Sequence, residues 1–106
     1  MFYLPVIPSC DRLIIALDVP SPAEARKVVD SIGDAGTFYK VGLELFMAGG
    51  YFELIDWLRA RGKQVMVDLK FFDVPRTVGA AVAKLAERDV TFATVHGNDA
   101  ILEAAA

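Results

Sequence analysis

The chain has 106 residues, 55% of them hydrophobic and 24% charged, with a formal net charge of −3. That bounds it to one domain or part of one, rich enough in apolar residues to build a core and unlike a disordered tail. Eleven basic against 14 acidic residues leave no clustered cationic surface for nucleic acid, and the single cysteine, Cys10, cannot form an internal disulfide, which points to a reducing, cytoplasmic setting.

Residues 1–7 are apolar but carry no basic n-region. Pro5 and Pro8 interrupt a stretch too short for a signal-peptide core. Residues 1–11 therefore read as an N-terminal lead-in to a single unit over residues 12–106. No stretch reaches the ~18 apolar residues of a membrane span, so no membrane is expected.

From Arg12 onward two patterns alternate. Leu13, Ile14, Ile15, Ala16 and Leu17 form a continuous apolar run ending at Asp18, as expected of a strand buried on both faces. Ser21-Pro22-Ala23-Glu24 has capping-box spacing with proline at the first helical position. Ala25, Val28, Val29 and Ile32 then give one apolar stripe, and Gly33 stops the helix. Residues 37–42 read as a second strand. A helix follows the Gly49-Gly50 turn to about Arg61, with Tyr51, Leu54, Ile55 and Leu58 inward. Residues 64–69 read as a third strand. Val78, Ala81, Val82 and Leu85 mark a third helix, residues 90–95 a fourth strand, and a fourth helix starts near Asn98 or Asp99.

Four βα units with short connections imply an α/β fold of parallel strands joined by right-handed crossovers. Helices on one side would make a barrel and helices on both sides a doubly wound sheet; periodicity does not choose between them. The last helix runs out at Ala104-Ala105-Ala106 without a cap. A complete eight-unit barrel needs roughly 200–250 residues, so the chain is expected to be about half of one.

In either architecture functional groups gather at the C-terminal ends of the strands. Here that edge carries Asp18, Lys40, Asp68, Lys70, Asp73 and His96. Asp68 and Lys70 are two apart and so share a strand face, where charges must neutralise each other or a ligand. Val74 precedes Pro75 and is pushed toward extended geometry, so the helix most simply starts at Pro75. Asp73 then stands one residue too early for an N-cap, and its carboxylate is free for another task. Blander readings remain open: a turn residue at Asp18, a snorkelling Lys40, a plain ion pair at Asp68 and Lys70, and a satisfied polar group at His96. Cys10 and Trp57 read as inert. No His/Cys cluster suits a metal, although Asp18 and Asp68 could share a hard cation through oxygen, and no glycine-rich phosphate loop is present.

Three segments together resemble the orotidine 5'-monophosphate decarboxylase family, whose members catalyse the last step of UMP synthesis. They are Arg12-Leu13-Ile14-Ile15-Ala16-Leu17-Asp18-Val19-Pro20-Ser21, Tyr39-Lys40-Val41-Gly42-Leu43-Glu44 and Asp68-Leu69-Lys70-Phe71-Phe72-Asp73-Val74-Pro75-Arg76-Thr77. The last is similar to the family's D-x-K-x-x-D-[IV]-P-x-T signature. The likeness covers residues 11–106 but only the N-terminal half of a family member.

The resemblance implies the N-terminal four units of a (βα)8 TIM barrel, working as a homodimer without metal or cofactor on a small-molecule substrate. It implies that Asp18 binds the ribose hydroxyls and that Lys40, Asp68 and Lys70 belong to an alternating charge network touching substrate. It further implies that Asp73 and Thr77 reach into a partner subunit's site, and that Lys70 protonates the carbanion left by CO2. The family's phosphate grip and its lid over the pyrimidine lie beyond residue 106, so little activity is expected of the chain alone.

Three other kinds of protein share part of this pattern. Mg2+-dependent sugar-phosphate decarboxylases and aldolases of the same suprafamily share D-x-K-x-x-D but carry glutamate at the place of Lys40, where a cation disfavours a second one. A non-catalytic half-barrel would self-associate through its open strand edges. A receiver-like signalling module would use Asp68 as phosphoacceptor, but the acid pair after the first strand is lacking.

Overall fold

A computed structural model describes residues 6–106, so the apolar opening at residues 1–5 lies outside the described residues. The first helix, α1 (Pro22–Ile32), starts where its chemistry requires. Ser21 is extended and its side chain accepts the Glu24 amide at 3.2 Å, while Pro22 occupies a first-turn position that needs no N–H donor. Gly33, at φ 63°, ends it. Helices α3 (Tyr51–Ala60), α4 (Pro75–Ala86) and α5 (Asp99–Ala105) fall where periodicity puts them, and Asn98 caps α5 by accepting the Ile101 amide at 3.1 Å. One helix has no counterpart in the sequence reading: α2 (Leu43–Ala48) fills the space between the second strand and the Gly49-Gly50 turn. Six residues are too few for a stripe to show, and only Leu45 is buried.

The strands are β1 (Ile15–Ala16), β2 (Phe38–Gly42), β3 (Gln64–Phe71) and β4 (Phe92–Val95). They form one parallel sheet in the order β1-β2-β3-β4. All four strands differ in length from expectation, β2 only by starting at Phe38 rather than at residue 37. β1 is two residues rather than five, because only Ile15 and Ala16 find Cα partners on β2. β3 runs two residues past Leu69, and β4 begins at Phe92 rather than at residue 90.

Register decides which side chains meet. Ala16 pairs with Lys40, Lys40 with Met66 and Met66 with Phe92, so these four share one face. The alternate set, Tyr39, Val41, Val65 and Val67, is fully buried against Ala25, Val29, Leu54, Ile55, Leu58 and Leu85 of the helices. The opposite face stays open, with Ile14 and Phe92 exposed. The helices thus cover one side of the sheet, the arrangement of a barrel wall rather than of a doubly wound sheet. The chain forms a slab of 41 × 41 × 20 Å.

The N-terminal edge of the sheet is tied by a chain of polar groups. The Thr37 hydroxyl lies 2.8 Å from Asp11 Oδ1, Gln64 donates to Asp11 Oδ2 at 3.4 Å, and Thr91 donates to Gln64 Oε1 at 2.5 Å. Lead-in and strand starts are joined there by hydrogen bonds, far from the charged rim. Among the described residues no helix is long and apolar enough to cross a membrane.

Candidate active site

The rim cluster is assembled by β2, β3 and β4. Asp68 pairs in register with Gly42, so no β2 side chain stands at its own level. Lys40, one pair below on the same face, leans up until Nζ lies 3.6 Å from Asp68 Oδ2. The ammonium of Lys70 lies 2.9 Å from Asp68 Oδ1. Asp68 is the sheltered member, its side chain 14% exposed against 30% for Lys40 and 71% for Lys70. The hydrogen bond from Lys70, another from Thr94 and the two ammonium charges hold the Asp68 carboxyl below its ordinary range, against the opposing effect of burial. It is a carboxylate near neutral pH.

Lys70 and Asp68 do meet, but not through plain strand alternation. Lys70 sits at φ 49°, a left-handed conformation that a residue with a Cβ adopts at a cost, and the β3–β4 register slips between Val67 and Phe71. This bulge re-aims the side chain. The Lys70 amide donates to Thr94 Oγ1 at 2.9 Å, and the Thr94 hydroxyl donates to Asp68 Oδ1 at 2.8 Å. Thr94 had no place in the sequence reading. The register places it: Phe92 pairs with Met66, so Thr94, two further along β4, faces Asp68, and no pattern within β4 alone carries that pairing.

The remaining predicted residues stand apart in the single chain. Asp18 is exposed beyond the end of β1. Asp73 does not cap α4, whose N-cap is the extended Val74; its Oδ1 accepts the Val74 amide at 2.7 Å and stays away from Lys70. Thr77 is exposed on the first turn of α4. The exposed His96 ring lies 5.4 Å from that of Phe72, outside the cluster. Trp57, read as inert, is covered by the Arg61 guanidinium at 3.7 Å from its ring centre. Among the described residues no three His, Cys, Asp or Glu side chains gather as a metal site.

The α3 helix supports the cluster from behind. The buried Tyr51 hydroxyl donates to the Val41 carbonyl at 2.8 Å, between Lys40 and Gly42. Burial pushes its phenol well above the ordinary range, and the Asp68 charge adds to this, so it remains a donor.

Residues 11–106 match the family model described as orotidine 5'-phosphate decarboxylase / HUMPS family. The chain is 66% identical over 100 residues to the orotidine 5'-phosphate decarboxylase of Methylococcus capsulatus, covering 94% of this chain and 41% of that protein. The crystal structure of orotidine 5'-phosphate decarboxylase from Lactobacillus acidophilus superposes with a TM-score of 0.80 at 35% identity, over 88% of this chain and 42% of that one. The Methanocaldococcus jannaschii orotidine 5'-monophosphate decarboxylase, solved in complex with the inhibitor BMP, superposes at 0.76 and 28% identity, over 90% of this chain and 45% of that one. The chain thus spans about two fifths of the length of the relatives it matches. Its four units are part of a TIM barrel, and the chain belongs to the orotidine 5'-phosphate decarboxylase / HUMPS family.

Proposed function

We propose that the chain carries the charged half of an active site that decarboxylates orotidine 5'-monophosphate to UMP. The observation that carries this is the Lys40–Asp68–Lys70 cluster, an ionised carboxylate between two ammonium groups on the open face at the C-terminal ends of the strands.

The chemistry suits those groups. Breaking the bond between the pyrimidine ring and its carboxylate leaves the electron pair in the ring plane on carbon, where no π system delocalises it, so stabilisation is electrostatic. A carboxylate at Asp68 next to the substrate carboxylate repels the ground state and is relieved as neutral CO2 departs. The ammonium of Lys70 stabilises the developing carbanion and then donates its proton to that carbon. Lys40 holds Asp68 from the other side. Its cation beside the only carboxylate of the cluster also supports a metal-free reaction over the Mg2+-dependent chemistry of related enzymes.

Asp18 contacts the ribose hydroxyls in this reading, and Asp73 and Thr77 act across a homodimer interface. What supports the interface is exposure: Phe72 and Val74, on either side of Asp73, are 68% and 61% exposed. In this reading the chain works in the cytoplasm, a location supported by the free thiol of Cys10 and by the substrate class.

The test is complementation. Incubated with orotidine 5'-monophosphate, the chain alone releases little or no CO2, because remote binding energy is needed in the transition state. Supplied with the later strands of a relative, it releases CO2 and forms UMP. A complemented barrel that folds and binds the nucleotide without turning it over overturns the proposal.

A further inference from the structure

We propose that Thr94 is a positioning residue for this reaction, a single hydroxyl that sets both the backbone of Lys70 and the orientation of the Asp68 carboxylate. The proposal rests on the decarboxylase reading for its catalytic meaning and on the geometry for everything else.

Between Val67 and Phe71 the β3–β4 ladder loses its register. A regular strand would send the Lys70 N–H to a main-chain carbonyl of its neighbour. Here it goes to Thr94 Oγ1 at 2.9 Å, and this side-chain acceptor compensates for the left-handed turn at φ 49°. The same hydroxyl has one proton to give, and Asp68 Oδ1 takes it at 2.8 Å. Oδ1 is also the atom bonded by the Lys70 ammonium, whereas Oδ2 is left toward Lys40. Thr94 therefore chooses which carboxylate oxygen faces which lysine, and it holds the bulge that turns Lys70 back over Asp68. Only a group that accepts and donates at one atom can do both. Valine, of the same shape, can do neither.

A threonine on a half-exposed strand also has a plain structural role in β-propensity, which valine satisfies as well. The two roles separate in measurement. The groups facing Asp68 are Lys40 from β2, Lys70 from its own strand and Thr94 from β4, with the Tyr51 phenol of α3 feeling its charge. Removing the Thr94 hydroxyl while leaving the others should move the carboxyl titration of Asp68 upward, toward the ordinary range.

Three preparations of the chain are compared by carbon NMR of the Asp68 carboxyl: unsubstituted, Thr94→Val and Thr94→Ser. Turnover of orotidine 5'-monophosphate is measured for each after complementation with the later strands of a relative. The expected result is an upward shift in Thr94→Val and none in Thr94→Ser. In turnover, Thr94→Val should lose about ten- to a hundredfold in kcat with KM changed by less than about threefold, and Thr94→Ser should stay near the unsubstituted value. Amide exchange of the unsubstituted chain adds a readout needing no variant, since the Lys70 N–H should be protected through Thr94. An unmoved titration and kcat in Thr94→Val, equal losses in both variants, or a Lys70 amide exchanging like an open loop would each overturn the proposal. If the unsubstituted, complemented protein leaves the nucleotide untouched, the decarboxylase reading fails, and the Asp68 titration alone decides whether Thr94 holds the pair.

Discussion

Lys70 reaches Asp68 at 2.9 Å from a backbone in the left-handed region, so the ion pair at the rim depends on a strained residue within a strand. A non-glycine residue in that conformation costs about 1–2 kcal/mol, and it persists where surrounding contacts over-determine it. The contact that does so here is the Thr94 side chain.

This strain separates function from stability at one position. Lys70→Ala should abolish turnover in the complemented enzyme while lowering the urea midpoint only modestly, because the lost ion pair is made by a side chain 71% exposed, Lys40 still faces Asp68, and alanine bears the same backbone cost. Lys70→Gly should be equally inactive yet more stable than Lys70→Ala by about 1 kcal/mol, since glycine accepts positive φ freely. Surviving activity in either variant would remove Lys70 as proton donor. A glycine variant less stable than the alanine one would remove the strain.

Acid should weaken the fold through Asp68. Its carboxyl titrates below the ordinary range in the folded chain, chiefly through the hydrogen bond from Lys70. Its stabilising contribution is therefore complete above the unfolded carboxyl value near ~4 and is lost as pH falls through the lower folded value. Urea midpoints across this acidic window should drop less steeply for Asp68→Asn than for the unsubstituted chain. Parallel curves would show that Asp68 is not linked to folding.

Tyr51→Phe should cost about 1 kcal/mol, the typical net contribution of a buried hydrogen bond, because it removes the donor to the Val41 carbonyl without opening a cavity. For a domain of about 100 residues that is a fall of roughly 4–8 °C in Tm, measurable by calorimetry. A melting point unchanged from the parent would mean that the carbonyl finds another donor.

The 106-residue chain on its own should self-associate. The apolar side chains of Ile14, Phe38 and Phe92 lie toward its open face, with Phe92 53% exposed and stacked on Phe38 at a centroid distance of 5.7 Å. β1 and β4 each pair on one side, leaving open edges. Light scattering should report a mass above that of one chain. A monodisperse monomer at high concentration would count against this.

Local chemistry and patterning made much of the molecule legible before any coordinates. The Ser21 cap, Pro22 and Gly33 delimit α1 because caps act within one turn of the chain, and the apolar runs at residues 37–42 and 64–69 announce strands because alternate side chains there, Tyr39, Val41, Val65 and Val67, are buried under the helices. The presence of Lys40, Asp68 and Lys70 on one rim was legible from the strand ends, and the segments at residues 39–44 and 68–77 that carry the family resemblance contain the same three residues. What escaped were features decided between strands or across short spans. α2 is too brief to show a period, and the extent of β1 depends on how far β2 lies alongside it. The side on which the helices pack is a matter of sheet curvature, which hydropathy does not encode. The bulge at Lys70 and the two-way hydrogen bond of Thr94 arise from a register slip between β3 and β4, 24 residues apart in sequence, and only their packing brings that hydroxyl within reach of both Asp68 and Lys70.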